Sequence, residues 1–354
     1  MELKLKLLIG EENKMSASLQ ILNNYSLKHY NTFNVDVNAA RFVELISEND
    51  IETFINQINS LQPVLILGGG SNILLLNDFQ GLVARMSTKG IKNISETENT
   101  VDLECAAGEN WNDVVSFCVE NDFYGIENLA LIPGTVGASP IQNIGAYGVE
   151  IKDVLINVEG FDLDSRKLLT FNNKECEFGY RTSIFKTKLK GAFLITKVRI
   201  RLSKQKKYQL NYRALNEKFG NTDVEQISIR DVAGFIKQIR QEKLPDHKAY
   251  GNAGSFFKNP EIEADNLEEL KKQFDGIVYF AAKGNFKIAA GWLIEECGFK
   301  GKRIGNVSCY DKQALVIVNH GGASGLEIIE YAGKVQSAVK KKFGINLVPE
   351  VNIV

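Results

Sequence analysis

The sequence predicts a mixed α+β protein with more than one domain. Its 354 residues are 44% hydrophobic, which is enough to bury a substantial core. The middle of the chain is rich in short strand-like runs, and residues 194–202 alternate mainly apolar with charged side chains. An amphipathic helix follows Ser228, with apolar residues at i, i+3, i+4 and i+7 from Val232, and it ends before Pro245. Strands and helices therefore both contribute to the fold.

The elements can be placed in chain order. A helix over residues 51–58, capped near Ser47 or Asn49, precedes a strand over 64–67, which is a βαβ-like arrangement. Another helix begins after Asn110, and its apolar stripe includes Cys118. The middle strands are VDLECAAG, VLINVEGFDL, KLLTF and AFLITKVRIRL. The last portion carries a helix near Ala289 to Cys297, the strand ALVIV, a helix from Ser324 with Glu327 at its third position, and the closing VPEVNIV.

The composition argues against several classes of protein. The chain has 42 Lys and Arg against 43 Asp and Glu, so nothing indicates a basic surface for nucleic acid. The three histidines, His29, His247 and His320, are far apart and form no HxxxH or HxxE pattern. We therefore expect no structural or catalytic metal.

The N-terminal segment and the cysteines indicate a cytoplasmic protein. MELKLKLLIGEENK is interrupted by Lys4 and Lys6, which makes it too short and too polar for a signal peptide or a membrane span. The five cysteines have no CxxC spacing, as expected in a reducing compartment. We expect residues 1–14 to be a dispensable extension or an upstream start, and residues 1–18 to lie outside the folded domains.

The stretch from 251 to 260, GNAGSFFKNP, is the strongest candidate for chemistry. Gly251 and Gly254 let the backbone turn and approach a ligand closely, and the hydroxyl of Ser255 has no bulky residue before it. We interpret the stretch as a reaction loop that carries Ser255 and Lys258, and not as a core strand. The alternative is an ordinary Gly/Asn turn ahead of a proline.

Two further glycine-rich segments strengthen the functional interpretation. Residues 132–148 read IPGTVGASPIQNIGAYG, where backbone amides could hold phosphate or polar ring edges. Residues 63–72 read PVLILGGGSN, an apolar run that leads into a turn typical of pyrophosphate binding. The Rossmann fingerprint fails, because Ile73 stands where a third glycine is required. Three such segments in one chain favour a large, extended ligand.

In ordered sequence motifs, the chain resembles the UDP-N-acetylenolpyruvoylglucosamine reductase family, MurB. The motifs span about 320 residues: NTF at Asn31, LGGGSN, GENW at Gly108, ENLALIPGTVGASPIQNIGAYG, FGYRTSIFK, GNAGSFFKNP, AAGWLIE and the terminal PEV. The resemblance implies an FAD-binding fold of the vanillyl-alcohol-oxidase (PCMH) type in two lobes, plus a C-terminal α/β substrate-binding domain. It places the lobes at 19–88 and 89–244, the substrate domain at 245–343, and a strand returning to the active site at 344–354.

The resemblance also implies the reaction. The enolpyruvyl ether of UDP-N-acetylglucosamine is reduced to UDP-N-acetylmuramate for peptidoglycan synthesis, with FAD as cofactor and NADPH as co-substrate. Hydride from flavin N5 adds to the terminal alkene carbon, and carbanion character next to a carboxylate results. The family match assigns the proton donor to Ser255, and a guanidinium at Arg181 and a carboxyl at Glu350 to the enediolate.

The resemblance carries over the remaining contacts residue by residue. It implies substrate contacts at Tyr180, Tyr212, Lys243 and Asn259, with Tyr208 as the rival for the loop tyrosine that marks the type I family members. It implies FAD contacts at Leu67, Gly68, Gly69, Gly70, Ser71, Asn72, Gly134, Thr135, Gly137, Ser139, Gln142, Asn143, Gly145 and Tyr147.

Two rival functions differ in testable ways. A related flavin oxidase would share the fold and the first two glycine-rich segments, but would use O₂ and would not need GNAGSFFKNP. A non-catalytic UDP-sugar or nucleotide-binding module would carry no yellow flavin. The sequence favours the reductase, acting on small molecules as a monomer, without nucleic acid or membrane.

Overall fold

The N-terminal part of the molecule is a four-stranded sheet with one helix. The computed structural model describes residues 19–58, 62–282 and 284–354, so the extension expected over 1–18 lies outside the described residues. The strand order is β1-β2-β5-β3, with β1 antiparallel to β2 and the other neighbours parallel. The elements are β1 Leu22–Ser26, β2 Asn38–Leu45, α1 Glu48–Gln57, β3 Val64–Leu67, β4 Ile73–Leu74 and β5 Phe79–Met86.

The first helix and strand follow the sequence-based prediction. Ser47 accepts a hydrogen bond from the backbone of Asp50, whose carboxylate accepts one from the Ser47 backbone, a capping box. This box starts α1 three residues before the predicted Ile51. The helix connects β2 to β3, so the predicted βαβ arrangement is confirmed.

The middle of the chain forms an antiparallel sheet of order β11-β10-β12-β7-β6. The alternation predicted for residues 194–202 is present in β12, where Val198, Ile200 and Leu202 are buried while Arg199 and Arg201 face carboxylates. The elements are β6 Ile91–Glu96, β7 Thr100–Ala106, α2 Trp111–Glu120, β8 Gly145–Ala146, β9 Val149–Glu150, β10 Leu155–Asp162, β11 Leu168–Asn172, β12 Phe193–Ser203, α3 Arg213–Phe219 and α4 Ile229–Lys243.

The C-terminal part contains a sheet of order β13-β19-β18-β17 and a smaller one of order β14-β16-β15. A short parallel pair joins β20 to β4 near the other end of the sequence. The elements are β13 Gly251–Ser255, β14 Glu261–Ile262, α5 Ala264–Gln273, β15 Tyr279–Ala282, β16 Asn285–Ile288, α6 Ala290–Glu296, β17 Arg303–Ile304, β18 Val307–Cys309, β19 Val316–Asn319, α7 Gly325–Phe343 and β20 Asn352–Ile353.

The interpretation of residues 251–255 as a loop and not a strand is wrong. These residues form β13, which pairs with β19, and Gly251 to Ala253 are buried. A Cβ added to Gly251 would lie 2.2 Å from the carbonyl oxygen of Phe33. Glycine is needed there because two backbone segments pack closely, and not because the chain must turn.

The N-terminal sheet contributes to two hydrophobic cores. Val43 and Leu45 of β2 belong to the core that includes α1, α2, α4 and the five-stranded sheet. Ala39 and Phe42 of the same strand belong to the core that includes α6, α7 and the C-terminal sheet. The sheet is thereby held between the other two parts. None of the helices in the described ranges is both long and apolar enough to cross a membrane.

Candidate active site

Two glycine-rich turns pack directly against each other. A Cβ on Gly68 would lie 2.4 Å from the Thr135 hydroxyl oxygen, and one on Gly69 would lie 3.0 Å from the Cα of Gly134. Gly70 has a φ of +62°, and a Cβ there would lie 2.0 Å from the Tyr30 carbonyl oxygen. Larger residues would force these turns apart. Gly68 and Gly69 are therefore required by the closeness of the two turns, and Gly70 by its contact with Tyr30.

A cleft of about 1440 Å³, counting the solvent at its mouth, opens beside these turns. Its walls combine backbone of the glycine-rich turns with apolar side chains such as Trp111, Ile132 and Phe193. A long cofactor with phosphates and a flat ring fits this mixture of exposed backbone and apolar surface. The predicted FAD residues that line it are Leu67, Gly68, Gly69, Gly70, Ser71, Asn72, Thr135, Gly137, Ser139 and Gln142.

Four of the predicted FAD residues lie behind the cleft wall. Gly134 packs on Gly69, and Tyr147 packs its ring on Tyr212 with centroids 5.1 Å apart. Asn143 donates hydrogen bonds to Glu150 and to the carbonyl of Gly179. Gly145 accepts a hydrogen bond from Arg181. These residues belong to the second glycine-rich segment and support it through these contacts, but they do not line the cleft.

The C-terminal segment forms one wall of the cleft. The backbone and side-chain nitrogens of Asn352 both donate to the carbonyl oxygen of Asn72, at 3.1 and 3.0 Å. Asn72 in turn donates its amide to Gln142. Val354 exchanges backbone hydrogen bonds with Leu74 and Leu76. The first glycine-rich turn is thus fixed between the C-terminal segment and the second turn.

Arg181 and Glu350 form a partly buried ion pair. The Nε of Arg181 lies 3.0 Å from Glu350 Oε1, and the two side chains are 21% and 17% exposed. Arg181 Nη2 donates to the carbonyl of Gly145 at 2.6 Å. Its backbone φ is +54°, in the left-handed region that costs energy for a residue with a side chain. Such strain is typical of residues held in place for function.

The carboxyl of Glu350 is surrounded by cations. Burial raises its pKa above the usual range, and the positive charges of Arg181, Lys186 and Lys258 oppose that rise. The Glu350 backbone nitrogen donates to the carbonyl of Phe256 at 2.8 Å. Glu350 therefore lies alongside the segment that continues from Ser255.

Ser255 is at the end of β13 and is partly exposed. The preceding Gly254 has a φ of +68°, and no other described atom lies within 4 Å of where its Cβ would be. Thr32 ties this strand to the first glycine-rich turn. Its hydroxyl donates to the Asn252 carbonyl at 2.5 Å, and its backbone nitrogen donates to the Gly70 carbonyl at 3.0 Å.

The comparisons with known proteins agree with this geometry. Residues 39–167 match the FAD binding domain family, and residues 245–354 match the C-terminal domain of UDP-N-acetylenolpyruvoylglucosamine reductase. The reductase of that name from Chromobacterium violaceum is 45% identical over 336 residues, which cover 94% of this chain and 98% of the relative. Those from Flavobacterium johnsoniae and Pseudomonas aeruginosa are 41% and 43% identical over 338 residues, covering 95% of this chain and 100% and 99% of theirs. The chain belongs to the UDP-N-acetylenolpyruvoylglucosamine reductase family.

The fold also agrees with a solved reductase structure. The crystal structure of MurB from Thermus caldophilus superposes with a TM-score of 0.64 at 22% identity, covering 95% of this chain and 98% of that one. The prediction of an FAD-binding fold of the PCMH type with a C-terminal reductase domain is confirmed. FAD is the cofactor of this MurB family member, and the cleft between the glycine-rich turns fits it.

The residues implied as substrate contacts in this MurB chain lie in different settings. Tyr180 has the ammonium of Lys287 3.5 Å from its ring centroid. The side-chain oxygen of Asn259 accepts a hydrogen bond from the Ala290 backbone at 2.9 Å, which starts α6. Tyr212 is 43% exposed. Lys243 is exposed at the end of α4, and among the described residues no hydrogen bond or ion pair brings it to Arg181.

The two rival tyrosines differ in their surroundings. Tyr212 precedes α3 and its ring packs edge-on against Tyr147, close to Arg181's anchor at Gly145. Tyr208 instead donates its hydroxyl to the Ile227 carbonyl at 3.0 Å and packs against Tyr124. Tyr208 is therefore engaged in packing between elements, while the Tyr212 hydroxyl is available to a ligand.

Two cations of this MurB site were not singled out from the sequence. Lys186 lines the cleft and donates to the carbonyl oxygen of Glu350 at 3.0 Å, and burial lowers its pKa to about 8. Arg240 lies beside Tyr147, burial lowers its pKa, and its Nε has no partner in the described part of the chain. Lys186 belongs to the FGYRTSIFK motif, but its hydrogen-bond partner, Glu350, lies 164 residues later in the chain.

Proposed function

We propose that this protein reduces UDP-N-acetylglucosamine enolpyruvate to UDP-N-acetylmuramate with NADPH. As a MurB family member it is an FAD-dependent oxidoreductase of peptidoglycan precursor synthesis, UDP-N-acetylmuramate dehydrogenase. The observation that carries the proposal is the Arg181–Glu350 pair, which is joined to the flavin cleft through Lys186 and the C-terminal segment. The chemistry that bound FAD supplies is the relay of a hydride from NADPH to the enolpyruvyl alkene.

Arg181 is proposed to hold the substrate carboxylate. Addition of hydride to the alkene pushes negative charge onto that carboxylate, and a guanidinium keeps its own charge while offering parallel donors. The Arg181 side chain is fixed by Gly145 on one side and Glu350 on the other, so its orientation is set before substrate binds. Preorganised donors of this kind stabilise charge that develops during reaction.

Glu350 is proposed to share a hydrogen bond with the same oxygens. The raised pKa of this carboxyl supports a role in its protonated form, because only a protonated carboxyl can donate to an enediolate. The three neighbouring cations, Arg181, Lys186 and Lys258, oppose protonation, but the effect of burial is larger.

Ser255 is proposed to deliver the proton to the carbanion. A neutral hydroxyl can do this without first placing an anion beside the substrate carboxylate. Two features support it: no hydrogen bond joins the hydroxyl to another described protein group, and the next residue, Phe256, accepts a backbone hydrogen bond from Glu350. No acid–base triad surrounds it, which fits an acid and not a nucleophile.

The substrate's nucleotide portion is proposed to lie between Tyr212 and the C-terminal domain. Tyr212 and Lys243 are exposed, and a hydroxyl and an ammonium are suited to phosphate oxygens, while Tyr180 is hydrogen-bonded to the backbone of Asn259. Tyr212 rather than Tyr208 is assigned as the loop tyrosine, which would make this a type I family member. The Tyr208 hydroxyl bond to Ile227 supports this assignment.

A mixing experiment tests the function. Purified protein is combined anaerobically with NADPH and then with UDP-N-acetylglucosamine enolpyruvate, while flavin absorbance and product mass are followed. We expect NADPH to bleach the flavin, and substrate to restore its colour with a gain of two hydrogens in the product. Bleaching without recovery would identify a flavoprotein with another acceptor, and aerobic oxidase activity above the reductase activity would favour the oxidase alternative.

The Ser255 assignment has its own variant. Loss of a proton donor at such a site lowers the rate by about a hundredfold or more. Ser255→Ala is expected to bind FAD, to be bleached by NADPH at the normal rate, and to regain its colour at least about a hundredfold more slowly when substrate is added. Ser337→Ala, on the exposed face of α7, is the matched control. Normal recovery in Ser255→Ala would remove the serine from the mechanism.

A further inference from the structure

Lys186 stands where the flavin cleft meets the Arg181–Glu350 pair. It lies in the short helical turn Ile184–Lys186 that follows Arg181, and its side chain lines the cleft. Its ammonium donates to the carbonyl oxygen of Glu350 at 3.0 Å. Lys186 is therefore in contact both with the space for the cofactor and with the residue proposed to bind the enediolate.

The ammonium of Lys186 has no carboxylate of its own among the described residues. Glu350 is the carboxyl whose charge acts on Lys186, but its side chain is paired with Arg181. The other charged groups facing Lys186 are Arg181, Lys190 and Lys258, and all of them are cations. A buried ammonium without an anion is unfavourable, and burial with these neighbours lowers its pKa to about 8. Such a cation stabilises a ligand that carries or acquires negative charge in the cleft.

We propose that Lys186 is a further catalytic residue, whose ammonium faces the flavin ring and stabilises the negative charge that the ring gains on reduction. The proposal rests on the proposed function, because it needs FAD in this cleft. The ring must lie at this end of the cleft, since the alkene to be reduced is held by Arg181 beside Glu350. A cation next to the ring is one of the ways in which proteins tune flavin chemistry.

The charge balance makes the role specific. A hydride from NADPH brings two electrons and one proton to the neutral oxidised ring, and NADPH leaves as NADP⁺. The ring gains one negative charge. That charge would leave the ring with the hydride that is passed to the substrate alkene; the Ser255 hydroxyl then gives its proton to the carbanion, and a proton from solvent restores the hydroxyl. A fixed cation beside the ring therefore favours the first half of the cycle, in which NADPH is consumed.

A purely structural role for Lys186 has different consequences. If Lys186 only held the Glu350 carbonyl, its loss would loosen the C-terminal segment and raise the KM for substrate. It would leave the reduction potential of bound FAD unchanged, because a backbone carbonyl carries no net charge. The potential therefore separates the two roles.

The test is the midpoint potential of FAD bound to the protein, measured by anaerobic titration with dithionite. Lys186→Met keeps the length of the side chain and removes its charge. We expect its reduction equilibrium to fall at least tenfold, which is about 30 mV for two electrons. Lys186→Arg should keep the wild-type potential. The control is Lys188→Met, which removes an exposed lysine two residues away that pairs with Glu177.

A second measurement follows the potential as a function of pH. It compares wild type with Lys186→Arg, so no charge is removed by mutation. Because Lys186 loses its proton at about pH 8, the wild-type potential should fall more steeply with pH around that value than the potential of Lys186→Arg. The charged groups that face Lys186 are Arg181, Lys190, Lys258 and Glu350, and they are the same in both proteins. This comparison decides the matter if Lys186→Met fails to retain FAD.

The outcomes are distinct. An unchanged potential in Lys186→Met, or equal pH slopes for wild type and Lys186→Arg, would overturn the proposal. The titration needs only bound FAD and dithionite, so a chain that holds FAD but fails to reduce the enolpyruvyl sugar would contradict the proposed function and still test Lys186. A chain that binds no FAD would overturn both.

Discussion

Single residues of the site adopt conformations that a side chain normally avoids. Asn143, Tyr147 and Arg181 all have φ between +45° and +54°. Arg181 donates hydrogen bonds to the carbonyls of Asn143 and Gly145, and Tyr147 follows Gly145 by two residues. The strain is therefore concentrated where Arg181 is anchored. Left-handed conformations of this kind persist only where surrounding contacts impose them. The direction of the Arg181 guanidinium is therefore set by the backbone as well as by its hydrogen bonds.

The guanidinium of Arg181 should not be replaceable by an ammonium. Lysine keeps the charge but lacks the planar set of donors that bonds Gly145, Glu350 and a carboxylate together. We expect Arg181→Lys to lower kcat/KM by about a hundredfold, as for the loss of one preorganised donor. The measurement is steady-state NADPH oxidation over a range of substrate concentrations that extends well below KM. Arg230→Lys, at an exposed arginine of α4, should retain wild-type activity.

The carboxyl of Glu350 should make stability depend on pH. Its pKa in the folded protein is raised above the usual 4.5, mainly by burial. Protonated Glu350 therefore favours the folded state, and this contribution is present below pH 4.5 and is lost as pH rises through the folded pKa. We expect wild type to lose stability relative to Glu350→Gln as pH rises above 4.5, in urea unfolding of the two proteins. Parallel curves would show that the pKa of Glu350 is not raised in the folded protein.

At the scale of elements, the sequence predicts the helices better than it predicts β13, the strand that ends at Ser255. Helices begin after Asn110, Ser228 and Ser324 as predicted, and of the two predicted caps of α1 it is Ser47 and not Asn49 that caps the helix, because capping is a local property of a few residues. β13 was missed because Gly251 is required by a contact with Phe33, more than 200 residues away in the chain. A glycine-rich segment is therefore predicted as a turn even where its glycine is required by packing against a distant part of the chain.

Substitution of glycine by alanine should have opposite effects on stability at Gly251 and at Gly333. In Gly251→Ala the new methyl group would meet the Phe33 carbonyl, and we expect a loss of about 1–3 kcal/mol in the free energy of unfolding, as for overpacking. Gly333, inside α7, has no other described atom within 4 Å of its Cβ position. Gly333→Ala should gain about 0.5–1 kcal/mol from helix propensity. Thermal and urea unfolding measure both, and a neutral Gly251→Ala would contradict the packing argument.

At the scale of the whole molecule, the site is assembled from segments that are far apart in sequence. The glycine-rich turns line the cleft, and the Arg181–Glu350 pair is joined to it through Lys186. What the sequence could not predict is how they are joined. Thr32, Lys186 and Asn352 make contacts across the chain, and no local pattern distinguishes these residues from others of their type.

The Asn352 contact should affect cofactor affinity. Its side-chain hydrogen bond to the Asn72 carbonyl holds the turn that lines the cleft. A hydrogen bond of this type contributes about 1 kcal/mol, so we expect Asn352→Ala to raise the Kd for FAD roughly fivefold. Fluorescence titration of the FAD-free protein measures this. Val348→Ala, at an exposed position before Glu350, should bind FAD normally.

The C-terminal wall of the cleft constrains the order of events during synthesis of the protein. Residues 352–354 pair with residues 72–76 and complete one side of the cofactor site. A ribosome releases the chain from its N-terminus, so both glycine-rich turns emerge and can fold long before this wall exists. The site cannot close around FAD until the codons for residues 352–354 have been translated and those residues have left the exit tunnel. This wall of the cofactor site is therefore completed only after both glycine-rich turns have been synthesised.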